Sequence, residues 1–236
     1  KGFMHRVFHN PMLRRGFRLY LLSPVQSFPM TTTTISSSTQ VLADLFPRRD
    51  SRSRAITQDA VLVIGFALLT ALAAQIEIPL GFTPVPLTGQ TFAVLAVGSA
   101  LGARRAMASQ MLYWMLGAVG LPFYANGASG WSTASGATAG YFFGFILASG
   151  LVGWFADQRN DRNYVSSLSA MTLGSAIIYL CGALWLAHSL NIPVASGSKN
   201  AISMGVSPFL AGDVLKMALV AGVAPLAWAT FGSRRQ

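Results

Sequence analysis

From residue 59 to residue 156 this chain carries only four charged side chains, Asp59, Glu77, Arg104 and Arg105. That depletion constrains the fold more than any other feature. A soluble domain of this size must cover its surface with charge, and an ordinary globular chain is roughly a quarter charged. Here the whole chain is 10% charged and 53% hydrophobic. Apolar stretches of about 20 residues, at 1.5 Å rise per residue, reach across a hydrocarbon layer about 30 Å thick. The expected class is therefore all-α, a polytopic membrane protein with six transmembrane helices in one bundle.

The spans are expected near 59–78, 88–102, 106–121, 138–155, 165–190 and 208–231, with a Gly/Ser/Pro-containing connector at 191–207. Together 59–231 forms one membrane domain. Before it, 1–58 reads as a disordered, basic, Ser/Thr-rich tail, within which Met30 offers a natural start. After it, 232–236 is a short cytoplasmic tail. Loop charge sets the orientation, because Lys and Arg gather on the cytoplasmic side. With the tail inside, fifteen of the seventeen Lys and Arg fall inside, Lys199 alone falls outside, and Lys216 lies within a span. That bias requires an even number of spans, and both termini are then cytoplasmic.

A net charge of +10 raises the question of nucleic acid. The basic residues sit at segment ends and in the tail, not along one aromatic-studded face, so no nucleic-acid partner is expected. Cys181 is the single cysteine and lies in an apolar run. With no Cys/His ligand spacing, no metal and no cofactor are expected.

Three unusual segments fall on the outer side in this topology: the Pro-rich stretch 79–90, the uncharged Gly/Ala/Ser stretch 121–140, and 208–216. Asp213 and Lys216 are three apart and share a helix face about one turn inside the membrane. Ionisable residues there are costly and by default functional. The bland alternative is an ion pair that only fixes packing. As a site, the carboxylate would accept N–H groups of a polar ligand and the ammonium would donate to its carbonyl. Asn126, Ser129, Tyr141 and Gln90 are the further candidates for substrate binding, the first two in a loop whose Gly and Ala leave room to fold over a ligand. Glu77 is the other acid at membrane depth, and it can also snorkel to water. Ala67 and Ala71, with Ala74 a turn later, form a small-residue stripe that suits close helix packing or docking to a partner subunit.

The ordered set of motifs resembles the BioY family, the biotin-binding S components of energy-coupling-factor transporters. It comprises Ile78-Pro79-Leu80, Pro84 to Thr91, Leu101 to Arg105, Gly117 to Pro122, Gly136 to Phe145, Tyr179, Gly182, Trp185 to Ala187 and Pro208 to Lys216, and covers all six expected spans. The resemblance implies biotin as the ligand, captured at the outer face of a bacterial cell membrane. Asp213 and Lys216 match a family D-x-x-K and would engage the ring system, and the loop around Asn126 would close the site. Ala67 and Ala71 would dock to the transmembrane coupling subunit, and partner ATPases would hydrolyse ATP. This chain departs from the family at Asn126, at Gly136 to Tyr141, and at Phe142, where some members carry Arg.

Two other readings compete. The architecture serves other vitamins as well, so an S component for a different vitamin is the near alternative. Gly127-Ala128-Ser129-Gly130 also resembles the G-x-S-G nucleophile motif of rhomboid intramembrane proteases. Catalysis would need a base beside Ser129, and outside the tail only His188 is available. The expectation is a transport protein and not an enzyme.

Overall fold

The computed structural model describes residues 41–45 and 52–231. Eight α-helices are present among the described residues: α1 (Arg52–Gln75), α2 (Gln90–Leu101), α3 (Ala103–Ala118), α4 (Trp131–Ala134), α5 (Ala139–Asp157), α6 (Tyr164–Leu190), α7 (Ala201–Gly205) and α8 (Leu210–Phe231). Four of them, α1, α5, α6 and α8, are long and apolar enough to cross a membrane. Of the six expected spans, those at α2 and α3 are shorter than that. Their 12 and 16 residues reach only about 18 and 24 Å at 1.5 Å per residue. What shortens them is the joint at Gly102, whose φ of 78° reverses the chain where the two helices would otherwise continue. A Cβ there would collide with the Asp157 carboxylate, and Asp157 Oδ2 accepts the Ala103 N–H at 3.1 Å, supplying one of the partners that a helix start lacks.

The first helix also differs from its expected bounds. It begins at Arg52 and ends at Gln75, because Glu77–Ile78 (β1) leaves the helix to pair antiparallel with Leu87–Thr88 (β2), Glu77 opposite Thr88 and Ile78 opposite Leu87. The Gly89 N–H then returns to the Ala73 and Ile76 carbonyls at 3.1 and 2.9 Å, satisfying the open end of α1. Only glycine fits, since a Cβ would lie 2.8 Å from the Ala73 oxygen. The tail expectation is revised as well. Val41 and Ala43 are buried, the 3-10 turn Leu42–Leu45 is formed, and Asp44 and Asp59 both bind Arg105. The rest of the expected 1–58 tail, residues 1–40 and 46–51, and the expected 232–236 tail lie outside the described residues.

Helix α5 is the most enclosed of the long helices and packs on α2, α3 and α6. Glycine makes that approach close. A Cβ on Gly144 would sit 2.9 Å from the Ile178 Cα, and one on Gly98 would sit 2.9 Å from the Ser149 carbonyl. Between helices in an apolar phase such small-residue contacts supply packing energy where the hydrophobic effect does not. By contrast α1 and α8 turn large apolar side chains outward, among them Leu68, Leu72, Leu215 and Leu226. Successive long helices alternate in direction. One end of the bundle therefore gathers Arg105, Asp157 and Asp161, and the other gathers the end of α1 and the starts of α2 and α8.

Candidate functional site

The second of these ends holds a cavity of about 390 Å³, within the range of small-molecule sites. Its closed end is built on the first turns of α8. Asp213 is 2% exposed, and its N–H bonds back to Phe209, which fixes the direction of the side chain. Asp213 Oδ1 accepts from Lys216 Nζ at 2.7 Å and from Thr91 Oγ1 at 3.0 Å, and Oδ2 accepts from the Tyr179 hydroxyl at 2.6 Å. Lys216 Nζ also donates to the Thr88 carbonyl at 2.7 Å and to Thr91 Oγ1 at 3.1 Å. Three N–H groups thus meet three acceptors, while Asp213 Oδ2 keeps room for another donor. A buried carboxylate that lines the cavity and is held from α2, α6 and α8, with a single donor on Oδ2, is equipped to accept an N–H from a ligand.

The expected lid is the turn Ala125–Gly127, where Asn126 takes the left-handed conformation at φ 56°. Gln75, the last residue of α1, holds it. The Gln75 amide donates to the Tyr124 carbonyl at 3.1 Å and accepts the Gly127 N–H at 3.2 Å. Tyr124 anchors the lid below, its hydroxyl donating to the Trp114 carbonyl at 2.6 Å and its ring lying 4.6 Å from Phe142. Burial pushes the Tyr124 phenol up to about 12, so it stays a neutral donor at physiological pH.

Of the residues singled out from the sequence, Asp213, Lys216, Asn126, Tyr141 and Gln90 line this one cavity. They do so in different ways. The Tyr141 hydroxyl is committed to the Gly205 carbonyl at 2.7 Å, leaving its ring for the cavity. The Gln90 amide is committed to Tyr113 and Thr88. Asn126 is exposed at the rim, with no hydrogen bond from its side chain among the described residues. Ser129 is not brought into the lining. Its carbonyl accepts from Thr133 Oγ1 at 3.1 Å, and it is Thr133 that faces the cavity. His188 stacks edgewise on Trp185 and has no hydrogen bond with Ser129, so the pair that a protease would need is not assembled.

Ala67 and Ala71 require a correction. They are 0% and 6% exposed because α1 turns this stripe toward α2 and α3, where Thr70 accepts a hydrogen bond from the buried Gln110 amide. Surface already spent on internal packing cannot also meet a partner. Tyr179, Thr91 and Gln75 were missed as site residues. Tyr179 had a signal, a hydroxyl in the apolar middle of a span, where an unpaired polar group is costly.

The profile of the BioY family matches residues 37–233. The biotin transporter BioY of Thermotoga maritima is 35% identical over 159 residues, 67% of this chain and 89% of that protein. The biotin transporter BioY of Rhizobium etli is 32% identical over 173 residues, 70% of this chain and 90% of that protein. Among solved structures, the S-component for biotin from an ECF-type ABC transporter superposes with a TM-score of 0.66 at 23% identity, covering 80% of this chain and 96% of that one. That likeness speaks to fold alone. A profile spanning the whole helical region, with relatives matched over nine-tenths of their own length, leaves one conclusion: the chain belongs to the BioY family.

Proposed function

We propose that this chain is the biotin-capturing subunit of a transporter, binding biotin in the cavity between α8, α2 and the lid. The observation that carries the reading is the Asp213 carboxylate, buried in the lining of the cavity with a single donor on Oδ2, in a chain whose relatives are named biotin transporters. A ureido ring presents N–H donors and a carbonyl acceptor together. Asp213 Oδ2 takes an N–H, and Lys216 can exchange one of its three partners for the carbonyl. Tyr141, Phe142 and Phe145 supply apolar faces for the thioether ring and tail. A site whose buried polar groups are completed by the ligand discriminates strongly against analogues lacking those groups.

In this reading all six expected spans cross the membrane, α2 and α3 doing so with their flanking segments. Their backbone is shielded by the longer helices, which is where short or interrupted helices are tolerated at membrane depth. The Arg-rich end faces the cytoplasm of a bacterial cell and the cavity faces outward, with both termini inside. An energy-coupling membrane subunit and its ATPases would drive delivery. Because the Ala67/Ala71 stripe is buried, such a subunit would meet the outward face of α1, around Ile64, Leu68 and Leu72.

Equilibrium binding of radiolabelled biotin to the detergent-purified chain tests the assignment, with other vitamins as competitors. Saturable one-to-one binding that is lost in Asp213→Asn and resists the other vitamins is expected. A monodisperse, cooperatively unfolding wild type that binds no biotin would overturn it.

A further inference from the structure

Two parts of the cavity wall, the Asp213–Lys216 end and the expected lid, hang on one residue that does not line it. Tyr113 lies on α3, is 1% exposed and stands outside the lining. Its hydroxyl accepts from Gln90 Nε2 at 2.6 Å. Gln90 Oε1 accepts from Thr88 Oγ1 at 2.9 Å, and the Thr88 carbonyl accepts from Lys216 Nζ at 2.7 Å. The hydroxyl thus ends a chain that runs through Gln90 and Thr88 to Lys216 and its partner Asp213. The Tyr113 ring serves the other part. Its centroid lies 5.8 Å from that of Tyr124, edge to face at 84°, and 6.1 Å from that of Phe142. Tyr124 carries the turn Ala125–Gly127, and its hydroxyl donates to the carbonyl of Trp114, the residue after Tyr113. One turn further on, Gly117 leaves the room that the Tyr124 ring takes, since a Cβ there would run into it. A single stretch of α3, 113–117, therefore holds both the expected lid and the polar end.

We propose that Tyr113 is a positioning residue for ligand binding: without lining the cavity, its hydroxyl fixes Gln90 and, through Thr88, the place at which Lys216 Nζ stands beside Asp213. The inference rests on the biotin reading of the cavity. Its physical basis is the cost of an unpaired buried group. Gln90 is 7% exposed, so water is a poor substitute for a lost partner, and a buried donor left without an acceptor is expensive. With phenylalanine at position 113 the Gln90 N–H loses its acceptor, and the side chain turns to find another. Thr88 Oγ1 then loses the oxygen to which it donates, and the carbonyl that holds Lys216 is free to shift. A ligand that uses Lys216 must re-order it on binding, and that loss of preorganisation weakens affinity. The ring contacts to Tyr124 and Phe142 survive the substitution, which separates the hydroxyl from packing.

The experiment measures biotin dissociation constants, binding and release rates, the number of sites per chain and thermal midpoints for wild type, Tyr113→Phe, Gln90→Met and the double variant in one detergent. Expected for Tyr113→Phe is an affinity about tenfold weaker, carried by a faster off-rate at a nearly unchanged on-rate, with the number of sites retained. Gln90→Met should lose at least as much. The double variant should match Gln90→Met within about twofold, because the hydroxyl acts only through that amide. A purely structural role would lower the midpoint or the number of sites and leave the dissociation constant of the folded chain unchanged. That result overturns the inference while the biotin reading stands, as does a double variant in which the two losses multiply. Tyr113→Leu gives the same affinity readout should the phenylalanine variant fail to fold, and an unchanged dissociation constant there overturns the inference equally. Failure of folded wild type to bind biotin overturns the biotin reading and this inference with it.

Discussion

Replacing Lys216 by Met removes one charge of a buried pair and leaves Asp213 in place. The Asp213 side chain is 3% exposed and that of Lys216 is 20% exposed. After the substitution Asp213 retains only Thr91 and Tyr179, two neutral donors at 3.0 and 2.6 Å. Breaking a buried pair from one side costs about 3–5 kcal/mol. The partial exposure of Lys216 brings this down to roughly 2–3 kcal/mol. For a chain of this length that is a drop of about 5–10 °C in the thermal midpoint. Pairing the change with Asp213→Asn removes the uncompensated charge, so the double variant should recover to within about 1 kcal/mol of wild type. Binding should behave differently. Each single variant loses a charge-assisted contact to the ligand, weakening biotin by about a hundredfold, and the double variant should stay weak. Tryptophan-fluorescence melting in detergent and biotin titration, run on all four proteins, read the two effects apart. Recovery of biotin binding along with stability in the double variant would refute the reasoning, because the pair would then be packing alone.

Tyr179→Phe removes the 2.6 Å bond to Asp213 Oδ2 and should weaken biotin roughly tenfold with little change in melting; a gain in affinity would mean that Tyr179 competes with the ligand for that oxygen. Gln75→Leu frees the lid from two hydrogen bonds, and stopped-flow measurements should show biotin leaving about tenfold faster at a nearly unchanged on-rate; an unchanged off-rate would sink the lid assignment. Asp161, in the loop between α5 and α6, accepts from the Trp228 indole at 2.6 Å through Oδ2 while Oδ1 lacks a hydrogen bond. Burial raises its carboxyl above the ordinary value of 3.8, against the lowering effects of Trp228 and Arg162. The stability it contributes is therefore full below that ordinary value and is lost as pH rises through the raised one. Relative to Asp161→Asn, wild type should gain melting temperature as pH falls from 7 toward 4, and a constant difference across that range would contradict the shift.

Much of this was legible in the sequence because charge and period are local properties. The four long helices follow from long apolar runs. Asp213 and Lys216 could be joined on paper, since three residues on a helix always share a face. Tyr179 and Thr91 could not. They lie 34 and 122 positions from Asp213, and nothing in their local surroundings says which oxygen they reach. The alanine stripe shows the same limit: its spacing says that a helix comes close, while only the packed bundle says that the helix is internal. The strand pair beyond α1 was hidden because two residues are too few to carry a period.

The sequence by itself determined the solvent this protein is built for. So few charges spread over so long a stretch cannot cover a water-facing surface. The tertiary structure decided where α2 stops and α3 starts, since the Ala103 N–H after Gly102 is held by Asp157, a residue more than fifty positions away. It also decided which donors Asp213 meets. A carboxylate at membrane depth must find donors, and which ones it finds depends on side chains delivered by other helices, Thr91 from α2 and Tyr179 from α6.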